Sequence, residues 1–134
     1  DRYILHRSPT IPNIGINGGV ILEEGMVFAI EPFATTGSGH VTEKTRREIY
    51  SQISPKPVRA PAARAVLEKI RDRHGLPFAR RWLNDKRTDL ALSTLIRSQV
   101  LHVYPVLSDI PGSLVSQAEH TIIVTDNGCI VTTR

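Results

Sequence analysis

Short apolar runs separated by turn-forming residues occupy both ends of the chain, at residues 1–53 and 105–134. The two strongest runs are residues 26–35 and 114–125, and each is long enough for a complete strand. Gly37-Ser38-Gly39 follows the first run and ends it. The pattern therefore predicts strands and turns, rather than helices, at both ends of the chain.

Further turns and strands follow from the same spacing. Glu23-Glu24-Gly25 marks a turn before the first apolar run, and residues 41–53 have the mixed character of an extended segment. Asp126-Asn127-Gly128 follows the second run as a hairpin turn. We therefore expect residues 129–133 to return as the partner strand of that hairpin.

Helical spacing distinguishes the middle segment, residues 54–104. It predicts three short helices: the first ends at Gly75, the second covers residues 78–83, and the third has Thr88 or Asp85 as its N-cap. The apolar positions that define them are Ala63, Val66, Leu67, Ile70, Phe78, Ala79, Trp82, Leu83, Leu92, Leu95 and Ile96. Helices placed between two sets of strands predict an α+β fold with a helical subdomain.

Composition places the chain among globular proteins. A length of 134 residues suits one compact domain, and 40% hydrophobic with 22% charged residues excludes global disorder. No apolar run approaches the roughly 18 residues of a membrane-spanning helix. The single cysteine, Cys129, excludes an internal disulfide and fits a reducing, cytoplasmic compartment. Because the chain begins at Asp1 and residues 2–6 resemble the middle of a strand, we expect an N-terminal part to precede it.

The net charge of +4 is unevenly distributed. Residues 54–104 contain 11 Lys and Arg against 4 Asp and Glu, a net charge of +7, whereas the remainder has 6 against 9, a net charge of −3. A cluster of basic residues is the footprint of phosphate contacts, although a solvated helix surface carries the same composition. The basic character of the protein therefore belongs to its helical segment.

Glu31 is the first candidate for chemistry, because it interrupts the apolar run 27–33. Both faces of that strand are apolar, so we expect the strand to be buried. A buried, ionised carboxylate is costly unless it is paired, hydrogen-bonded or bound to a metal. The strand alone leaves two alternatives open, namely a structural partner for Glu31 and a functional carboxylate.

Glu119 is the second candidate, within the run 114–125. A period of two places it on one face with Gln117 and Thr121, and places His120 on the opposite, apolar face. The polar row could form the wall of a site, but taken alone it favours a half-exposed strand with a solvated face. The position of His120 indicates a core histidine rather than a ligand.

Two carboxylates on separate strands could hold divalent ions, because hard cations prefer oxygen ligands. Two ligands are too few for a catalytic ion, and the chain contains neither an HExxH motif nor an Asp-x-Asp pair. His6 is a candidate third member. The other histidines are expected to have surface roles: His40, His74 and His102.

Two motifs, together with shorter blocks in the same order, closely resemble type II methionine aminopeptidases of the archaeal and eukaryotic kind, in their C-terminal part. The motifs are Ala29-Ile30-Glu31-Pro32-Phe33-Ala34-Thr35-Thr36-Gly37 and Ala118-Glu119-His120-Thr121-Ile122, and the blocks are Tyr3-Ile4-Leu5-His6, Ile11-Pro12-Asn13-Ile14, Leu76-Pro77-Phe78-Ala79-Arg80-Arg81-Trp82-Leu83 and Tyr104-Pro105-Val106-Leu107. The resemblance implies a creatinase-like "pita-bread" α+β fold. In that fold, residues 1–53 and 105–134 are strands of the catalytic domain, and residues 54–104 are a helical, winged-helix-like insertion.

The resemblance also implies roles for individual residues around two divalent ions, which could be Co, Mn, Fe or Zn. Glu31 matches a glutamate that binds one ion, and Glu119 matches a glutamate that bridges both. His6 matches a histidine that contacts the substrate without binding metal. Phe33 and Tyr104 resemble residues that line the pocket for the methionine side chain.

Departures from the family pattern limit what this chain could do alone. The family's two aspartates, its metal-binding histidine and a second catalytic histidine would all precede Asp1, so this chain carries two of five metal ligands. Ala118 also replaces a larger residue that usually precedes the second glutamate. We therefore expect no aminopeptidase activity from these 134 residues alone, and expect them not to hold both ions.

The resemblance implies a cytoplasmic, monomeric enzyme that removes the N-terminal methionine of nascent polypeptides, with the ribosome as a candidate partner and no membrane. The alternative is a non-catalytic creatinase-fold relative that binds RNA or the ribosome through its basic helical insertion. Retention of both Glu31 and Glu119 favours the enzyme, because a non-catalytic relative has no need of such carboxylates.

Overall fold

The computed structural model describes residues 3, 6–15 and 17–134. The chain divides into two compact units. The helical unit consists of Thr42–Ser108 with the described residues of Asp1–His6, and the strand unit consists of Arg7–Val41 and Asp109–Arg134. No helix in the described part of the chain is both long enough and apolar enough to cross a membrane.

Strands and helices follow one another in a mixed order. The strands are β1 (Val27–Ile30), β2 (Phe33–Thr35), β3 (Thr42–Gln52), β4 (Phe78–Ala79), β5 (Leu101–Ser108), β6 (Val115–Gln117), β7 (His120–Thr125) and β8 (Gly128–Val131). The helices are α1 (Pro61–Ile70) and α2 (Thr88–Arg97), with 3₁₀ helices at Arg71–Arg73 and Arg80–Trp82. This content confirms the predicted mixture of α and β structure.

The helical unit packs α1 and α2 against an antiparallel sheet in the order β4-β3-β5. Its largest fully buried side chains are Phe78, Leu95 and Val100. Helix α1 begins with Pro61 at its first turn and buries the predicted apolar face. His74 (φ 52°) and Gly75 (φ 88°) turn the chain in the left-handed region after the helix, as the predicted stop requires.

Residues 78–83 differ from the predicted second helix. Phe78 and Ala79 form a strand that pairs with Tyr50 and Ile49 of β3, and only a 3₁₀ turn follows. Phe78 is 2% exposed in this pairing, so its ring belongs to the core of the helical unit. Four apolar positions within six residues cannot distinguish a short helix from a strand and a turn.

The predicted N-cap of the third helix is also wrong. Helix α2 begins at Thr88, and the N-cap position is held by Arg87, whose side chain makes no capping hydrogen bond. Asp85 contributes differently, because its Oδ1 accepts a hydrogen bond from the Arg87 backbone N–H at 2.7 Å. The start of α2 therefore lacks the side-chain cap that most helices have.

The strand unit contains two antiparallel sheets, β1-β7-β8 and β2-β6. The predicted hairpin at Asp126-Asn127-Gly128 joins β7 to β8, with Thr125 paired to Gly128. The predicted strands 26–35 and 114–125 are each divided in two, at Glu31-Pro32 and at Ala118-Glu119. Val27 is 62% exposed and Ile30 43%, so the expected burial of the first strand is wrong.

Asp109 anchors the loop that follows β2. It is 6% exposed and accepts hydrogen bonds from the Ser38 hydroxyl (2.6 Å), the Ser38 N–H (3.0 Å), the Gly39 N–H (3.0 Å) and the Thr35 hydroxyl (2.9 Å). The Ser38 hydroxyl contributes most to a pKa of the Asp109 carboxyl well below its usual range. A charged side chain thus fixes this turn.

Candidate functional site

The two predicted carboxylates lie opposite each other in the strand unit. Ile30 of β1 pairs with His120 of β7, and Phe33 of β2 pairs with Gln117 of β6. The register is therefore the same on both sides of the interruption. Continued through the gap, it sets Glu31 opposite Glu119.

Pro32 explains why the ladder is interrupted at this point. Proline has no N–H to donate, so one hydrogen bond of the ladder is absent. The Ala118 N–H still donates to the Pro32 carbonyl oxygen at 3.3 Å, which keeps the two chains aligned across the gap. The site is therefore a local opening between two strands that remain in register.

Four side chains share one face at this opening. Because side chains alternate along a strand, Glu31 and Phe33 project on the same face as their partners Glu119 and Gln117. The Gln117 amide donates a hydrogen bond to Glu31 Oε1. This contact is the diagonal neighbour that the register predicts, and it orients one carboxylate beside the other.

Two carboxylates directly opposite each other repel and destabilise a strand pair. Both Glu31 and Glu119 are exposed, so water screens part of that repulsion. Gln117 donates to Glu31, whereas Glu119 has no hydrogen bond or ion pair among the described residues. A divalent cation between their oxygens would convert this repulsion into attraction, since hard cations prefer such ligands.

The donor set is incomplete in the described part of the chain. No group of three or more His, Cys, Asp or Glu side chains there is arranged to hold a metal ion. Glu31 and Glu119 therefore fit as two ligands of a larger set. Their carboxylate chemistry suits Mg, Mn, Co, Fe or Zn and does not select among them.

The other predicted site residues fall in different units. Phe33 lies in the strand unit beside Glu31 and is 52% exposed, whereas His6 and Tyr104 lie in the helical unit. The Tyr104 hydroxyl is 3.2 Å from the Ser51 hydroxyl, and the ring of Tyr104 packs edge-on against His102 at 4.7 Å. His6 is exposed. The strand unit alone thus brings Glu31, Glu119 and Phe33 together.

His120 is not the core histidine that its strand position suggests. It is exposed, and its Nδ1 lies 3.1 Å from the Thr133 hydroxyl near the end of the chain. Its apolar neighbours differ in burial: Ile122, on the same face, is buried at 9% exposed, whereas Ile30 opposite His120 is 43% exposed. Alternation identifies a face of a strand without showing what covers it.

Gln117 is a site residue that the sequence places correctly without revealing its role. A period of two puts it on the face of Glu119. Its contact with Glu31, however, depends on the pairing of β2 with β6, in which the partners Phe33 and Gln117 are 84 positions apart in the chain. The Asp109 contacts with the 37–39 loop depend on a similar long-range pairing. Neither partner can be identified from local pattern.

No family model matches the chain. The chain is 50% identical over 133 residues to a methionine aminopeptidase of Archaeoglobus fulgidus, covering 98% of this chain and 45% of that protein. It is 48% identical to the Pyrococcus horikoshii methionine aminopeptidase (100% and 48% covered) and 37% identical to methionine aminopeptidase 2-1 of Aspergillus flavus (95% and 30% covered). The chain thus spans less than half the length of these relatives.

A solved structure of a thermophilic Arx1 shares the fold of the chain. Its TM-score is 0.70 at 26% sequence identity, and the match covers 90% of this chain and 33% of that one. Together the comparisons confirm the resemblance to methionine aminopeptidases over nearly the whole chain. They also agree with a mixed α/β architecture of the pita-bread type.

Proposed function

We propose that this chain, similar over nearly its whole length to methionine aminopeptidases, supplies one wall of the active site of such an enzyme. The observation that carries the proposal is the register that sets Glu31 opposite Glu119 on one face. Two exposed, opposed carboxylates destabilise a strand pair unless a cation lies between them. The site therefore has a physical reason to bind metal.

In the proposed site, Glu31 would hold one divalent ion, and Glu119 would be a ligand of both ions. When bound, such ions act as Lewis acids on a peptide carbonyl and lower the pKa of a shared water. The Gln117 amide holds the Glu31 carboxylate in orientation, and Glu119 has both oxygens free of described protein partners. The remaining ligands would come from outside this chain.

The substrate proposed is a polypeptide with an N-terminal methionine. Phe33 supports this assignment, because it is a half-exposed ring on the same face as the two carboxylates. Thioethers make favourable contacts with aromatic rings, so Phe33 suits the methionine side chain. His6 and Tyr104 are proposed as further substrate contacts, with His6 donating to the polarised carbonyl oxygen.

The proposal extends to the organisation of the longer protein. Residues 54–104 would be a helical, winged-helix-like insertion in the catalytic domain formed by residues 1–53 and 105–134. The enzyme would be monomeric and cytoplasmic and would act on nascent polypeptides, some of them at the ribosome. The alternative, an RNA-binding relative without activity, has less support, since the relatives described above are named as aminopeptidases.

Activity of a protein of the relatives' full length that carries this sequence tests the proposal. Glu119→Gln should reduce hydrolysis of a Met-initiated peptide by at least about 100-fold, because loss of a bridging carboxylate removes a charge from both ions. Glu23→Gln, an exposed carboxylate in the same unit, is the matched control and should leave activity unchanged. Full activity of the Glu119→Gln protein would contradict the proposal.

The 134 residues alone give a complementary test. We expect no turnover of a Met-initiated peptide with added Co(II) or Mn(II), because the described part of the chain supplies only the two proposed ligands, Glu31 and Glu119. Turnover by the purified chain would show that the missing ligands are not needed. Such turnover would contradict the proposal that residues outside this chain complete the site.

A further inference from the structure

Trp82 is a large aromatic side chain that the helical unit leaves outside its core. The sequence pattern predicts it on the apolar face of a helix, yet in the structure it is 54% exposed. The guanidinium of Arg73 lies over its ring, with Cζ 4.7 Å from the ring centroid. The only tryptophan in the sequence therefore presents ring surface to solvent.

Arg73 is held in this position by the backbone. Its Nε and Nη2 both donate to the Pro77 carbonyl oxygen, at 3.1 and 2.8 Å. Arg73 makes no ion pair with a carboxylate among the described residues, so its positive charge is not neutralised there. An exposed aromatic ring with a fixed cation beside it is the kind of platform on which nucleobases stack. We call Arg73 and Trp82 the Trp82 platform.

A basic groove adjoins the Trp82 platform. Lys69 Nζ donates to the carbonyl oxygen of Leu83, the residue after Trp82, at 3.1 Å. Lys69 also lines a groove of about 460 Å³ together with Lys86 and Arg87. All of these residues belong to the helical unit, so Lys69 connects the platform to the groove within one unit.

The charges of the groove favour a polyanion. Its three cations, Lys69, Lys86 and Arg87, are accompanied by one carboxylate, that of Asp85. None of the three makes an ion pair in the described part of the chain. The Asp85 Oδ1 already accepts a hydrogen bond from the Arg87 backbone N–H at 2.7 Å. With Arg73, the surface therefore has four unpaired cations and one carboxylate, a balance that attracts phosphates.

We propose that the helical unit binds single-stranded RNA, with a base on the Trp82 platform and phosphates along the basic groove. A stacking ring combined with a positively charged groove is the means by which proteins bind single strands without reading their sequence. A duplex does not fit this arrangement, because its bases are stacked on one another and leave none for the ring. The inference does not depend on the function proposed for the carboxylates of the strand unit.

Asn84 favours RNA over DNA. It lies between Trp82 and Lys86 in the chain and is exposed, and its amide has no partner among the residues that the structure describes. The amide offers both a donor and an acceptor to a ribose 2′-hydroxyl, the group that distinguishes RNA from DNA.

Titration of a fluorescently labelled oligouridine of about 12 nucleotides with the 134-residue chain tests the proposal. We expect a saturable change in anisotropy at low salt, accompanied by quenching of the tryptophan fluorescence. Because Trp82 is the only tryptophan, quenching reports on this ring alone. Absence of saturable binding, or binding without quenching, would overturn the proposal.

Substitutions of Trp82 separate stacking from charge. Trp82→Leu should weaken binding about tenfold, the effect of losing one stacked base, whereas Trp82→Phe keeps a ring and should retain most of the affinity. Equal thermal unfolding midpoints of the two proteins would show that the difference is not one of folding. Equal affinities of the Leu and Phe proteins would overturn the assignment of a base to this ring.

The dependence of affinity on salt tests the groove. Lys86→Gln with Arg87→Gln should lower the slope of log affinity against log salt by about 1.4, because each phosphate contact with a single strand contributes about 0.7. Lys44→Gln with Arg97→Gln removes the same charge from the same unit at residues that do not line the groove. This control should leave the slope unchanged. An equal fall in both proteins would overturn the site, because net charge alone would then explain the binding.

Three further ligands identify what the surface recognises. Polyphosphate, which has charge but no bases, should leave the Trp82 fluorescence unquenched, and quenching equal to that by oligouridine would overturn the stacking. Oligodeoxyuridine, which lacks only the 2′-hydroxyl, should bind several-fold more weakly, and equal affinity would overturn the assignment to RNA. Polyglutamate should bind more weakly than oligouridine, and tighter binding would assign the surface to an acidic protein and overturn the proposal.

Discussion

The two units of this chain are held together in different ways. Nearly all buried hydrophobic side chains belong to the helical unit, where Phe78, Leu95 and Val100 are fully enclosed. In the strand unit, Ile122 at 9% exposure is the one hydrophobic side chain that counts as buried among the described residues. The strand unit is held together instead by the hydrogen bonds between its paired strands and by the Asp109 carboxylate.

This difference coincides with the location of chemistry. Glu31, Glu119 and Phe33 all lie in the unit without a closed core. Large apolar side chains there are exposed, including Val27, Phe33, Leu114 and Ile130. A strand ladder that does not bury its side chains on both faces leaves room for polar groups to meet.

Removal of a core side chain should produce the largest difference in stability between the two units. Leu95 is fully buried in the helical unit, so Leu95→Ala should lower the free energy of unfolding by about 2–5 kcal/mol, through lost burial and a cavity. Urea denaturation followed by Trp82 fluorescence measures it, since Trp82 lies in the same unit. Ile130→Ala, at a site 56% exposed in the strand unit, is the control and should cost much less.

Addition of one methyl group at Gly37, beside the Asp109 carboxylate, should have the next largest effect. A Cβ at Gly37 would lie 2.5 Å from Asp109 Oδ2, so Gly37→Ala must displace the carboxylate from its donors. We expect a loss of about 1–3 kcal/mol, the usual result of overpacking. Hydrogen exchange of the β2–β6 amides measures it. Gly15→Ala, where nothing lies within 4 Å, should leave exchange unchanged.

The stability of the strand unit should depend on pH through Asp109. Hydrogen bonds from Ser38 hold the pKa of this carboxyl below its ordinary value of about 3.8, so folding favours the ionised form. Its contribution is fully present above the unfolded pKa and is lost as pH falls from about 4 toward the folded pKa. Denaturation midpoints at pH 6 and pH 3 should therefore differ. That difference should shrink in Asp109→Asn, and an undiminished difference would contradict the assignment.

Sequence pattern predicted the elements whose causes are local. The hairpin at Asp126-Asn127-Gly128 and the apolar face of α1 require only turn chemistry and a helical period, and both are confirmed. Glu31 stood out because it interrupts an apolar run, and Glu119 because it lies in a row of polar side chains that runs into an apolar strand. That the two glutamates lie opposite each other depends on the register between chain segments about 90 residues apart, and no local pattern contains that information.

Failures of prediction also have physical causes. The prediction of the second helix was wrong because Phe78 and Ala79 pair with β3, a long-range partner that the local pattern does not contain. The prediction that residues 27–33 are buried was wrong because apolar composition shows only that a strand could be covered, not that other residues cover it. Pro32 was the one residue in the sequence that indicated the strand breaks at Glu31-Pro32 and Ala118-Glu119, because a proline has no N–H and interrupts a ladder.

The smallest expected effect is also the most direct test of the difference between the units. Val27 is 62% exposed in the strand unit and Val66 is 5% exposed in α1, so the same Val→Thr substitution samples both environments. Val27→Thr should change the free energy of unfolding by less than about 0.5 kcal/mol, as exposed positions usually do. Val66→Thr places a hydroxyl in the core and should cost about 1–3 kcal/mol. Equal costs in urea denaturation would mean that Val27 is covered in solution, and that the strand unit has the closed core which its exposed side chains argue against.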